Sequence, residues 1–534
     1  MKRIYLLFIA CVSAVLSFAQ GYSEQLLGSI SDSIETNQKY VVDWADSAIS
    51  KNKKCADAYF MKACVYVFMQ DYLKALEQLN MSLNVVSNKS LIKKSQILCT
   101  RAMLYVKVEE LELALADFES AIKVNPKELY AYEYRLSLYK DLLQYENAEK
   151  DCRKLLSIKD SLAYKLELAS ILTYQEKTDE ALEIVNKIIK YQPKEAQSYA
   201  TRSWIYAVRG EGQYAIYDYL QYMLLDGDYD LDYFITLSKM DYTYAINSLS
   251  QLIISDDKKN IWLGARIRVY IDTGEYELAL TDLNSLKEIY KEDTPFTLYQ
   301  QAKCYNGLYE FSNAIEVLNK LIDLQEEKDS YTIAMRAEAY RNVDNFESSI
   351  KDFSEAILLS PSVAYLYAER GWTYEMQNDF DKALQDYNTS ITLDSESAWV
   401  RIQRGKLLKE RGNQLKAKED FEIALQLDTI SSTHAFALLL LGEEQKAIEF
   451  MNTIVEKDIK NAVDVYDLAC IYSLANKKEE AVKNLHRAVD LGYKNFNHIK
   501  NDRDLINICE EEGYKEILDK LVKTKVFKLF NALN

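Results

Sequence analysis

The chain has 534 residues, with 82 Asp and Glu against 65 Lys and Arg and a formal net charge of −17. That balance excludes a broadly basic surface able to neutralise phosphates, so no nucleic-acid partner is expected. Four prolines and 14 glycines against 41 tyrosines describe helices with few breakers, and three histidines cannot furnish a repeated catalytic apparatus.

The N-terminus carries Lys2 and Arg3, then an apolar run from Ile4 that closes on Ser17-Phe18-Ala19. A basic lead, an apolar stretch and a small-x-small site predict a secretory signal peptide over residues 1–19. The run is short for a membrane span, and no later segment reads as transmembrane. The expected location is exported, periplasmic or associated with the outer envelope. Cys11 after Phe8-Ile9-Ala10 offers a lipoprotein alternative, but the apolar stretch continues through Val12 to Phe18 and argues against it. The other seven cysteines (55, 64, 99, 152, 304, 470 and 509) are odd in number and irregularly spaced, which is not a disulfide framework. A bridge between Cys64 and Cys99 in adjacent units stays open as an alternative to two apolar fillers.

Residues 20–55 read as N-terminal helices or half a unit, including Trp44. From Ala56 onward the sequence repeats: Ala337, Gly371 and Gly405 recur at 34-residue steps, each followed by an aromatic or leucine, an alanine or serine, and a second aromatic. A fixed period of this length marks one helix-turn-helix unit copied many times. Eleven units can be framed, starting at Ala56, Ser95, Leu129, Leu162, Ala196, Asn260, Pro295, Ser330, Ala364, Ala398 and Ala462. Counted from those starts, the motif is small at 8, Tyr at 11, Ala at 20, aromatic at 24, Ala at 27 and often Pro at 32. The second unit shows it most fully, with Ala102, Tyr105, Ala114, Phe118, Ala121 and Pro126.

These residues resemble the tetratricopeptide repeat family. The resemblance implies an all-α, right-handed superhelical solenoid of antiparallel helix pairs, roughly 13–14 units long. Residues 228–259 and 430–461 keep the period but not the motif and read as degenerate repeats. They separate repeat blocks at 56–227 and 260–429 from a final segment, 462–534, holding the last repeat and capping helices.

Comparing units with one another exposes a covariation. Position 7 is Arg in seven units (Arg101, Arg135, Arg202, Arg266, Arg336, Arg370 and Arg404), and position 23 is Asp in the same seven (Asp117, Asp151, Asp218, Asp282, Asp352, Asp386 and Asp420). The other four units have neither. An ion pair across each hairpin is expected, since the planar guanidinium grips a carboxylate with two hydrogen bonds.

No HExxH, Gly-rich phosphate loop or GxSxG elbow is present, so neither an enzyme nor a metal or cofactor is expected. The resemblance implies a concave groove lined by positions 2, 5, 9, 12 and 13 of the first helices, where a protein or peptide partner binds. Carried over residue by residue, the candidate contacts are Trp204, Tyr331, Arg341, Tyr365, Trp372, Trp399, Lys406 and Lys409. Exposed aromatics beside charges suit an anchor-and-rim surface. The competing assignment is packing of the same aromatics between neighbouring units. A protein-interaction scaffold is the expected function. The alternatives are a structural subunit of an envelope secretion or assembly complex, and an accessory protein capturing ligand for a transporter.

Overall fold

A computed structural model of the protein describes residues 34–87, 93–227 and 230–532. The signal-peptide and lipoprotein readings lie outside them, as does the side chain of Trp44. The chain divides into two units, Met1–Ala245 and Ile246–Asn534. Among the described residues all regular structure is helical, and helices follow one another in packed pairs. The division falls inside the 228–259 hairpin, whose first helix, Leu231–Ser238, has only 8 residues. The 430–461 hairpin is shortened in the same way, with Ser432–Leu440 as its first helix.

Each pair is set by three positions. Position 8, small in nine of the eleven framed units and Leu136 or Ile267 in the other two, is buried with the alanine or serine at 20, and the side chain at 24 fills the gap behind them. Ala102, Ala114 and Phe118 show this in the first unit, and Ala337, Ser349 and Phe353 in the second. The tolerance is small: a methyl group added at Gly405 would lie 2.4 Å from the ring of Phe421. Such contacts let two backbones approach closely at crystal-like density.

The turn inside each pair is equally constrained. Position 15 of all eleven framed units has a left-handed backbone, yet only Gly210, Gly274 and Gly412 supply a glycine there. Gln70, Glu109, Leu143, Glu176, Tyr309, Asp344, Asn378 and Asn476 adopt φ of 56–64°. This residue ends the first helix so that the next amide bonds back to the carbonyl at position 11, at 2.7–2.9 Å throughout. Where that next residue is Asp71, Asn345, Asp379 or Asn413, its side chain also caps the second helix.

All seven Arg and Asp residues pair as bidentate forks. Nε donates to one carboxylate oxygen at 2.6–2.8 Å, and Nη2 donates to the other at 2.6–2.9 Å. The aspartates are 1–6 % exposed. In six of the seven, Nη1 reaches a side-chain oxygen of the preceding hairpin at 2.5–3.0 Å: Asn80, Asn186, Ser250, Asn319, Ser354 or Asn388. Tyrosines flank the guanidinium, as Tyr367 and Tyr374 do Arg370 at 5.8 and 5.9 Å. One arginine therefore holds its own hairpin together and ties it to the hairpin before. Cys64 and Cys99 remain buried thiols in neighbouring pairs.

Two outcomes follow from these contacts. Asp386→Ala strands a largely buried guanidinium and should cost about 3–5 kcal/mol. Hydrogen exchange over the 364–393 hairpin measures the loss, and a cycle with Arg370→Ala should show strong non-additivity; additive losses would mean that the pair carries no coupling. Leu143→Gly relieves a left-handed leucine and should stabilise its hairpin by about 0.5–1 kcal/mol, read as slower local exchange.

Candidate functional site

In the second unit the first helices Ser330–Arg341, Ala364–Met376 and Ala398–Glu410 present the candidate residues. Trp372 is the centre. The guanidinium of Arg341 lies 3.9 Å from its ring centroid, and Trp399 meets it edge-on at 5.9 Å. Arg341 is buried and donates to the Glu369 carboxylate at 2.7 Å and to the Glu369 carbonyl at 3.1 Å. Tyr365, nearly half exposed, donates its hydroxyl to Glu338. Tyr331 and Lys409 are exposed.

This face is engaged by the C-terminal part of the same unit. After the last hairpin the chain forms the short helix Phe496–Asn501 and the turn Arg503–Ile508. Their apolar side chains Ile499, Leu505 and Ile508 are buried in one cluster with Val465, Tyr466 and Leu485 of the final repeat. Asp502 and Asn507 bond to that same repeat, while other polar side chains reach earlier repeats. Asn495 and Asn497 donate to the side chain and carbonyl of Asn342, and Asn501 donates to Asp344, each at 2.7 Å. His498 sits edge-on to Trp372 at 5.7 Å. Arg503 donates to Glu410 at 2.6 Å and to Glu375 at 3.3 Å. Asp504 pairs with Lys406 at 2.6 Å, and Asp502 accepts from the Tyr466 hydroxyl at 2.6 Å.

Trp372, Arg341 and Lys406 are thus brought together, with the protein's own residues 493–504 against them. Sequence reasoning placed this segment as a terminal cap and passed over Asn497, His498, Asn501, Arg503 and Asp504. The available signal was the dense polar run Asn497–Asp504, interrupted by the single apolar Ile499 ahead of Leu505.

Burial shapes the electrostatics here. It pushes Glu338 up from an ordinary value of 4.5 to about 7, with Glu369 adding repulsion. Burial likewise raises Glu375 and Asp504, against the opposing pull of Lys406, and lifts Asp467 to about 7. Burial lowers His498, which favours its neutral form. For Lys406, burial pulls the value down, but Asp504 beside it prevails and the net shift is upward.

In the first unit Trp204 is half-buried and closes an aromatic run. Tyr145 stacks on Tyr174 at 4.9 Å and 2°, and Tyr174 meets Trp204 at 4.9 Å. Tyr130 and Tyr174 are each more than half exposed. In the 162–191 hairpin, Leu168 and Ile184 stand where other units place Arg and Asp. There they line a cavity of about 640 Å³ with Leu156 and Ile188, rimmed by Arg153, Lys165 and Glu180. Among the described residues no group of three His, Cys, Asp or Glu is arranged to hold a metal ion. Among the same residues no helix is long and apolar enough to cross a membrane.

Two stretches, 95–128 and 334–398, match family models described as tetratricopeptide repeat. No curated protein matches the sequence. Similar solved structures include yeast Tom70 (14% identity, 89% of this chain and 96% of that one, TM-score 0.34). The Cut9–Hcn1 hetero-tetramer of the APC/C is similar at 14% identity, covering 96% of this chain and 98% of that one, with a TM-score of 0.34. MamA is similar at 21% identity over 31% of this chain and 93% of its own, with a TM-score of 0.28.

The raised Glu338 gives a pH signature. Between its ordinary value and about 7 the folded protein holds a proton that the unfolded chain has released, so stability falls as pH rises through that window. The melting temperature should therefore decline from pH 5 to pH 8. Glu338→Gln, which keeps an acceptor for Tyr365, should flatten the decline; an unchanged slope would place the titration elsewhere.

Proposed function

We propose that this protein is a non-catalytic scaffold whose first-helix faces bind a protein or peptide partner. The tetratricopeptide repeats support the interaction role, and the observation that carries the choice of face is the contact of Tyr174 with Trp204, both on first helices of the first unit, with Tyr145 at the start of a second helix stacked on Tyr174. Three aromatic rings from three consecutive hairpins lie in contact there, with Tyr174 more than half exposed. Aromatic rings bring large contact area at low entropic cost, which suits an anchor for an extended chain. In the second unit Trp372 and Lys406, at the same repeat position as Trp204, and Arg341 are engaged within the chain, while Tyr331 and Lys409 at the margin are exposed. The Lys2-Arg3 lead and the apolar run after it support an exported protein that meets its partner in the cell envelope.

A photo-crosslinking residue in place of Tyr174 should trap a discrete partner in intact cells. The same residue in place of Glu183, on the following second helix, should trap none. Trp204→Ala should weaken recovery of that partner by about tenfold or more, the loss of one anchor. Adducts formed only from the second helices would move the binding face to the other side.

A further inference from the structure

In a repeat array each unit touches its neighbours, so contacts spanning many units need a separate cause. The bonds from Asn497 and Asn501 to Asn342 and Asp344 span 155 and 157 residues. Those from Arg503 and Asp504 to Glu410 and Lys406 span 93 and 98. The two sides of the segment differ in kind. Ile499, Leu505 and Ile508 are at most 1 % exposed and belong to the core of the final repeat. The side facing repeats 330–410 is held mainly by side-chain amides, ion pairs and the edge of one imidazole. It meets positions 9, 12 and 13 of the repeat frame, through Trp372 and Lys406, Glu375, and Asn342 and Glu410.

We propose that residues 493–505 are a built-in ligand of the second unit's first-helix face, anchored by their apolar side to the final repeat and latched by their polar side. The face is closed to partners while the latch holds. A partner that opens it carries the same chemistry, an acidic turn with side-chain amides, in which a carboxylate replaces Asp504 on Lys406 and an amide replaces Asn497 on Asn342. This rests on the reading above that first-helix faces bind peptides. Polar latching makes exchange feasible, because water or a competing peptide can satisfy each group in turn. The apolar anchor stays in place, and the array keeps its core.

The test uses the full chain with Asn497→Ala, Asn501→Ala, Arg503→Ala and Asp504→Ala combined, which leaves Ile499, Leu505 and Ile508 untouched. The probe is a labelled synthetic peptide of residues 491–507. Amide exchange over 496–508 should accelerate at least tenfold in the variant while the 330–410 helices stay protected. The peptide should bind the variant at least tenfold more tightly than the parent. Lys406→Glu alone should also open the face, and adding Asp504→Lys should close it again. Unchanged protection over 496–508, loss of protection across 330–410, or no peptide binding to an opened face would each overturn the proposal. Peptide binding without crosslinks at Tyr174 would instead count against the partner face assigned to the first unit.

Discussion

Two helices that meet across alanine or glycine set the terms for everything else in this molecule. In the 398–427 hairpin a Cβ at Gly405 would already crowd the Phe421 ring, so a larger residue there would push the pair apart. With the backbones this close, an arginine on the first helix reaches an aspartate on the second with both arms of its fork. Its third arm is then positioned to take the preceding hairpin. The buried carboxylate would be costly without the guanidinium, and the guanidinium has no other partner so well placed. Packing between helices, pairing within a hairpin and stacking between hairpins are therefore one linked arrangement.

Much of this was legible because a repeat sequence contains its own comparison set. The 34-residue step located the hairpins, and the matched Arg and Asp columns predicted contacts that the structure shows as bidentate pairs. The third arm went unread although most of its acceptors share one column: Asn80, Asn186, Asn319, Ser354 and Asn388 all stand at position 25 of the unit before the arginine. The left-handed residue at position 15 was hidden for another reason. Only three units mark it with glycine, and Leu143 or Tyr309 gives no local hint of such a backbone. There the packing of the pair overrides the preference of the residue.

The candidate face divides along the same line. Positions 2, 9 and 12 could be counted off the repeat frame, and that counting found Trp204, Trp372 and Lys406. It could not find what lies against them, because Asp504 and Lys406 are neighbours only after two further hairpins have stacked between them. Periodicity reports local geometry; it is silent on a segment that returns across several units. Trp372 of the second unit consequently lies against the chain's own tail, whereas Tyr174 of the first faces solvent.

The return of residues 493–505 to repeats made some 90 to 157 positions earlier also bears on how the molecule is born. A stack of hairpins can organise in order as it leaves the ribosome, since its contacts are near in sequence. The tail is synthesised after all of them, so it can close on them only once they have been made. During that interval every new molecule displays Trp372 and Lys406 uncovered, so the moment of biogenesis is when this surface is most open to capture.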